Sequence, residues 1–311
     1  MYINAVFEGG GVKGIGLVGA VCCLEDRGYK IKNYAGTSAG AIVASLLAAG
    51  YTGKELESIM MDMDYLKLVY NDSMKKSRIL ALPYNIINLI KDKGVYSVEP
   101  IEAYIEGLLE KKGKTRFRDI SYKGKSPLKI IASDITKGDM LVLPDGLEEY
   151  GIDPMDFKIS KAVSMSISIP IFFKPIKLRY NNSINFIVDG GILSNFPIWI
   201  FDVEGKDKWP TFGMKLIEDH KSYTSRSRTD IISYLLDIVS AMINKNEEIY
   251  VRDKDWVRTI PIPTLGVGTT QFNISKEKSY GLFQSGYRSA EKFLRTWSFE
   301  GYKRQFHQEK I

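Results

Sequence analysis

The chain has 311 residues, of which 44% are apolar and 26% charged, a composition that excludes a disordered or low-complexity protein. Lys and Arg number 43 against 37 Asp and Glu, for a net charge of +6. There are only two histidines, His220 and His307, so a His-rich metal site is excluded and a Ser-His-Asp mechanism has two positions to draw on. The two cysteines, Cys22 and Cys23, are adjacent, which excludes a disulfide framework and favours a reducing, cytoplasmic location. The first residues lack the basic flank of a signal peptide and meet a glycine loop at once, and no run of 18 apolar residues occurs, so neither a leader nor a bilayer span is expected.

The predicted elements begin with a buried strand over 3–7 that ends at Gly9-Gly10-Gly11. Residues 15–27 are apolar nearly all round, the pattern of a buried helix, with Gly28 as its stop. A second short strand over 32–35 runs into Gly36-Thr37-Ser38-Ala39-Gly40, and a second buried helix follows over 41–49. Strand, glycine turn and buried helix thus occur twice, which predicts an α/β fold with a mostly parallel sheet covered by helices. Residues 54–112 read as interrupted helix with a break at Pro83. Residues 127–132 and 140–143 read as a hairpin across Lys137-Gly138-Asp139. A Ser-rich piece over 159–169 closes at Pro170, and strands follow at 184–188 and 211–217. Residues 229–250 predict an amphipathic helix with Ile231, Leu235, Ile238, Val239 and Met242 at helical spacing, and 275–297 a final helix before a polar, loosely held tail. No linker or repeat divides the chain, so one domain over 1–311 is expected, with 218–311 as a helical extension packed on the rest.

Gly36-Thr37-Ser38-Ala39-Gly40 fits G-x-S-x-G between a strand and a helix. In that arrangement a tight, strained turn exposes Ser38 at the strand end, and the following helix start stabilises negative charge. The same residues also suit a close-packed turn with no chemistry. Gly9-Gly10-Gly11-Val12-Lys13-Gly14 has two readings. As G-x-G-x-x-G it suits a dinucleotide, but the next strand ends at Ser38 without the acid that would hold a ribose. As an oxyanion hole, its N–H groups converge on one spot, where one donor is typically worth about 3 kcal/mol, and Lys13 adds positive charge. A serine nucleophile needs a base. His220 lies in a polar stretch and His307 in the tail, whereas Asp189 ends a strand and is followed by Gly190-Gly191. It shares the C-terminal rim of the sheet with Ser38 if the strands are parallel. On its own Asp189 reads equally as a turn former bonded to its own backbone.

Taken together and in this order, these elements resemble the patatin-like phospholipase family. The oxyanion block resembles Gly9-Gly10-Gly11-Val12-Lys13-Gly14, preceded by Glu8 where many members carry aspartate. The nucleophile elbow resembles Gly36-Thr37-Ser38-Ala39-Gly40. A block of small residues closed by proline resembles Ala162–Pro170, continuing to Phe173-Lys174-Pro175, and the aspartate-glycine pair resembles Asp189-Gly190-Gly191. The resemblance spans 3 to about 217. It implies a three-layer α/β/α sandwich and acyl-ester hydrolysis of a phospholipid or other lipid. It also implies a dyad of Ser38 and Asp189 that needs no histidine, metal or cofactor.

A lipid substrate suggests peripheral contact at an inner membrane face, which the charge of +6 favours. The apolar stretch 79–90, between Lys75-Lys76, Arg78 and Lys91, Lys93, reads as a lid or interfacial anchor, or as an ordinary core-facing helix pair. Basic residues are dispersed among acids and no nucleic-acid motif occurs, so no nucleic-acid partner is expected. Two further readings stay open: a regulated effector or non-catalytic lipid-binding relative, and a dinucleotide-binding oxidoreductase. Head-group preference and oligomeric state are not legible.

Overall fold

The structure is a computed structural model that describes residues 1–64, 67–68, 89, 91–203, 209–218, 231–250, 253–269 and 271–307. The lid segment proposed at 79–90, residue 89 apart, lies outside the described residues, as do Lys75, Lys76, Arg78 and His220.

A mostly parallel sheet organises the chain. β1 (Tyr2–Phe7) pairs in parallel with β2 (Lys30–Thr37) on one side and with β9 (Thr211–Ile217) on the other. β10 (Thr259–Pro263) extends the sheet in parallel beyond β9, and β4 (Leu128–Asp134) continues it in parallel beyond β2. β5 (Asp139–Leu143) forms the expected antiparallel hairpin with β4. β8 (Ser183–Asp189) also runs antiparallel to β4, and β7 (Ile176–Tyr180) antiparallel to β8. Two short strands, β3 (Gly94–Tyr96) and β6 (Ile171–Phe173), pair separately.

β10 has no counterpart among the predicted elements, and it carries two residues that usually break strands, Pro261 and Pro263. The strand survives because it is a sheet edge, where a residue without an N–H costs no ladder bond. Its period of two places Ile260 and Ile262 inward and both prolines outward. The extension after 218 is therefore not purely helical.

Helices cover one face of the sheet. α1 (Gly14–Asp26) is buried from Gly14 to Leu24, and Gly28 follows in the left-handed conformation that ends a helix cleanly. α2 (Ala39–Ala48) is equally apolar, and α3 (Gly53–Asp62) starts with a reciprocal Thr52–Glu55 capping box. α4 (Glu99–Lys111), α5 (Phe117–Ile120) and α6 (Ile159–Ser166) follow, then α7 (Ile231–Tyr250), α8 (Lys276–Thr296) and α9 (Phe299–His307). Ile3, Ala5 and Phe7 of β1 join these helices in the main core. Val6 and Ala35 face the other way, where Phe196 and Ile198 form a smaller core. That second covering layer is built from short irregular pieces among the described residues. Arg258 pins them, fully buried between Asp202 and Asp255 at 2.6 Å from each.

Two expectations change. The tail is held at least as far as α9, since Tyr302 is fully buried and lies near the rings of Trp297 and Phe299. The apolar stripe read along α7 is split: Val239 is buried, but Ile231, Ile238 and Met242 face solvent. No helix among the described residues is long and apolar enough to cross a membrane.

α1 and α8 touch backbone to backbone. A Cβ on Gly286 of α8 would fall 1.8 Å from the carbonyl oxygen of Gly16 in α1. Backbone cannot yield as a side chain can, so overpacking, at about 1–3 kcal/mol, outweighs the gain of about 1 kcal/mol in helix propensity of Ala over Gly. Gly286→Ala is expected to lower the unfolding free energy by about 1–3 kcal/mol, measured by urea denaturation.

Candidate active site

The site forms where β2 and β8 end. β4 residues 130–134 are occupied on one edge by β5, so β2 and β8 must both use the other edge. β2 runs along it as far as Thr37 opposite Ile131, and β8 comes from the opposite direction to place Asp189 opposite Ala132. The premise of parallel strands fails for β8, because it is antiparallel to β4. The two C-terminal ends nevertheless meet, head on rather than side by side.

Ser38 follows β2 with φ 52° and ψ −122°, a strained conformation for a residue with a side chain. The neighbouring glycines make this turn possible. A Cβ on Gly36 would fall 2.3 Å from the oxygen of Gly40, and one on Gly40 would fall 2.2 Å from that of Phe7. Ala39 opens α2, whose first N–H groups lack partners along the helix and present positive potential below Ser38. Thr37 is anchored by its hydroxyl, which donates to the Ser194 carbonyl at 3.0 Å.

The Ser38 hydroxyl donates to Asp189 Oδ2 at 2.7 Å. The other carboxylate oxygen accepts the Gly191 N–H at 2.8 Å. Gly190 allows close passage, since a Cβ there would fall 2.2 Å from the Ile131 oxygen. Asp189 is 1% exposed. Burial pushes its carboxyl from 3.8 up to about 6, against the opposing pull of the bonds from Ser38 and Gly191.

The glycine loop lies against Ser38: a Cβ on Gly9 would sit 3.1 Å from the Ser38 Cβ. The Gly9 N–H donates to the Asn195 carbonyl, that of Val12 to Thr269, that of Lys13 to Gly10, and that of Gly14 to Gly11. The N–H groups of Gly10 and Gly11 donate to no carbonyl among the described residues. Lys13 is not a solvated lysine. It is 4% exposed, and its ammonium lies 2.6 Å from Glu218. Glu8 is buried too, paired with Lys215 of β9 at 2.6 Å and accepting the Leu216 N–H.

Four residues of the site had no assigned part in the sequence reading. Ser166, at the end of α6, accepts the Ser38 N–H at 2.8 Å and donates to the Ile131 carbonyl at 2.5 Å. The Ser168 carbonyl accepts the Asp189 N–H at 2.9 Å. Asn195 donates to the Gly9 carbonyl at 3.2 Å, and its Oδ1 fills the space beside both Gly9 and Gly191, tying the glycine loop to the base turn. Lys215 sits in an apolar strand with no polar pattern around it. Only the serines carried a signal, as members of the small-residue block. His307 lies in α9, and His220 lies outside the described residues. No group of three or more His, Cys, Asp or Glu suited to a metal gathers among the described residues.

A family model described as patatin-like phospholipase matches residues 5–202. An uncharacterized protein of Bacillus subtilis, YqhO, is 37% identical over 302 residues, covering 96% of this chain and all of that one. A probable lipid hydrolase, 463L, of Invertebrate iridescent virus 6 is 31% identical over 63% of this chain and 62% of its own length. A cGAMP-activated phospholipase of Escherichia coli is 24% identical over 64% of this chain and 58% of its own. Among solved structures, VipD from Legionella pneumophila is similar in fold with a TM-score of 0.56 at 19% identity, covering 94% of this chain and 67% of VipD. ExoU of Pseudomonas aeruginosa, in its complex with SpcU, gives 0.54 at 16%, covering 94% of this chain and 51% of the other. The matched model spans β1 through the base turn and so contains Ser38, Asp189 and the glycine loop: the chain belongs to the patatin-like phospholipase family.

Proposed function

We propose that the protein is a lipid acyl hydrolase of the phospholipase A type, acting through Ser38 and Asp189. The observation that carries this reading is the 2.7 Å bond from the Ser38 hydroxyl to a buried carboxylate, made at the strained turn before α2. As Ser38 Oγ attacks the ester carbonyl, its proton passes to Asp189 Oδ2. The tetrahedral oxyanion is held by the N–H groups of Gly10 and Gly11 at the mouth of the α2 dipole. Collapse expels the alcohol, which takes the proton from Asp189 and leaves the acyl group on Ser38. Water then attacks the acyl-enzyme, giving its proton to Asp189; collapse breaks the bond to Ser38 Oγ, which takes that proton back, and the fatty acid leaves.

A carboxylate of ordinary acidity is a weak base for an alcohol. Burial that raises Asp189 to about 6 strengthens it as a base while leaving it mostly ionised at pH 7. Lys13, already paired with Glu218, fixes the loop rather than meeting the oxyanion. The name of the Escherichia coli relative supports the alternative of a triggered effector, which activity in purified protein without added nucleotide would sink.

With Asp189 as base, kcat/KM on a soluble ester rises with pH around a midpoint of about 6. Ser38→Ala and Asp189→Asn each lose at least about a thousand-fold in kcat. Turnover near the original level in either variant, with the fold verified, removes the dyad. A His220→Ala, His307→Ala double variant is expected to keep its activity within about two-fold, since the mechanism uses no imidazole proton.

The same carboxyl affects stability with a definite sign. Its folded pKa lies above the unfolded value, so between pH 3.8 and about 6 the folded state binds more protons and stability falls as pH rises. Ionisation of Asp189 at neutral pH therefore costs about 3 kcal/mol. Asp189→Asn keeps hydrogen-bonding atoms toward Ser38 and Gly191. It is expected to unfold at higher urea than the parent protein at pH 7.5, and the difference should vanish near pH 4.

A further inference from the structure

Helix α7 carries more apolar surface than the fold uses. At 100° per residue, Tyr234, Ile238, Ile231 and Met242 fall in one arc of roughly 80°, and Leu235, Val239, Ile243 and Leu236 continue it around the helix. Packing is confined to three residues of the second group. Val239 is buried, and Leu236 and Ile243 pack against the main core. The first group is exposed: Ile231 by 56%, Tyr234 by 59%, Ile238 by 40% and Met242 by 47%. Isolated apolar residues on a surface need no explanation, but four aligned on one side of a helix mark an interaction surface.

The packed side of α7 rests on the base turn. A methyl of Ile243 lies 3.2 Å from where a Cβ on Gly191 would be, and Gly191 donates its N–H to Asp189. The exposed stripe is thus separated from the Asp189 turn by little more than one helix diameter, about 10 Å.

We propose that this stripe of α7 docks on the surface of a phospholipid bilayer and brings the acyl ester to Ser38. The proposal rests on the lipid-hydrolase reading above. Position favours a bilayer over a protein partner. The stripe lies on the helix whose other side touches the base turn, so a bilayer seated on it holds lipid within about one helix diameter of Asp189. An amphipathic helix lying in the interface buries an apolar face of this kind, and the chain as a whole, at +6, is drawn to anionic lipid although α7 itself carries Asp237, Glu247 and Glu248 against Lys245.

The test uses the full chain with Ser38→Ala, with and without Tyr234→Ser, Ile238→Ser and Met242→Ser, sedimented with vesicles of phosphatidylglycerol and phosphatidylcholine. The three substitutions are expected to lower vesicle partitioning at least about ten-fold. With Ser38 intact they are expected to lower hydrolysis of vesicle phospholipid by about the same factor, and to leave a soluble short-chain ester within about two-fold. Ile238→Asp alone gives the same measurement where the triple variant does not fold. Retained partitioning overturns the proposal, as does an equal loss on vesicles and soluble ester. Conversion of a dimer to a monomer with partitioning intact assigns the stripe to a second copy and also overturns it. If the protein with Ser38 intact hydrolyses no acyl ester, the hydrolase reading fails, and sedimentation of the Ser38→Ala pair still decides the docking.

Discussion

β4 carries two strands on a single edge, β2 running with it to Ile131 and β8 running against it from Ala132. Their ends collide at one point of the sheet, and the chain must leave that point through two tight turns. Both turns are rich in small residues because backbone atoms approach within van der Waals limits there, as at Gly36, Gly40 and Gly190. One turn ends in Ser38 and the other begins at Asp189, so a contact spanning 151 residues of sequence follows from strand pairing rather than from either turn alone.

Holding that contact dry requires compensation nearby. The glycine loop beside Ser38 is tied down by two ion pairs, Glu8 with Lys215 and Lys13 with Glu218. Buried pairs of this kind add little net stability, because desolvation offsets their attraction, but removing one partner strands a charge. Their effect is to fix the loop in one arrangement. Asn195 does the same without charge, joining Gly9 to the base turn. Among the described residues the N–H groups of Gly10 and Gly11 then donate to no carbonyl, which is the preorganisation that the proposed oxyanion role requires. Burial of Asp189 belongs to the same trade. It makes the carboxylate more basic and the folded state less stable at neutral pH, so a stronger base and a structural cost arise from one desolvation.

The helical layer places this site near a surface of different character. α1 is held by the backbone contact with α8, a rigid platform below the glycine loop. α7 instead touches the base turn with one side and turns Ile231, Tyr234, Ile238 and Met242 to solvent. The fold is thus tightly packed around the Ser38–Asp189 contact and apolar on an adjacent outer face, the arrangement on which the proposed docking to a bilayer rests.

Local rules made much of this visible in the chain. The repeated order of strand, glycine turn and buried helix determined an α/β sheet, because periodicity and glycine turns are properties of neighbouring residues. Gly36–Gly40, the glycine run and Asp189-Gly190-Gly191 were legible for the same reason, as was the shortage of histidine. β10 was hidden because its prolines are acceptable only on a sheet edge, and an edge exists only once the sheet is assembled. Asn195, Lys215 and Ser166 carried no role in sequence because their partners lie 128 to 207 residues away. The direction of β8, and with it the head-on meeting of Ser38 and Asp189, was decided by which edge of β4 was free. That is a matter of strand pairing across the whole sheet, which no local pattern encodes.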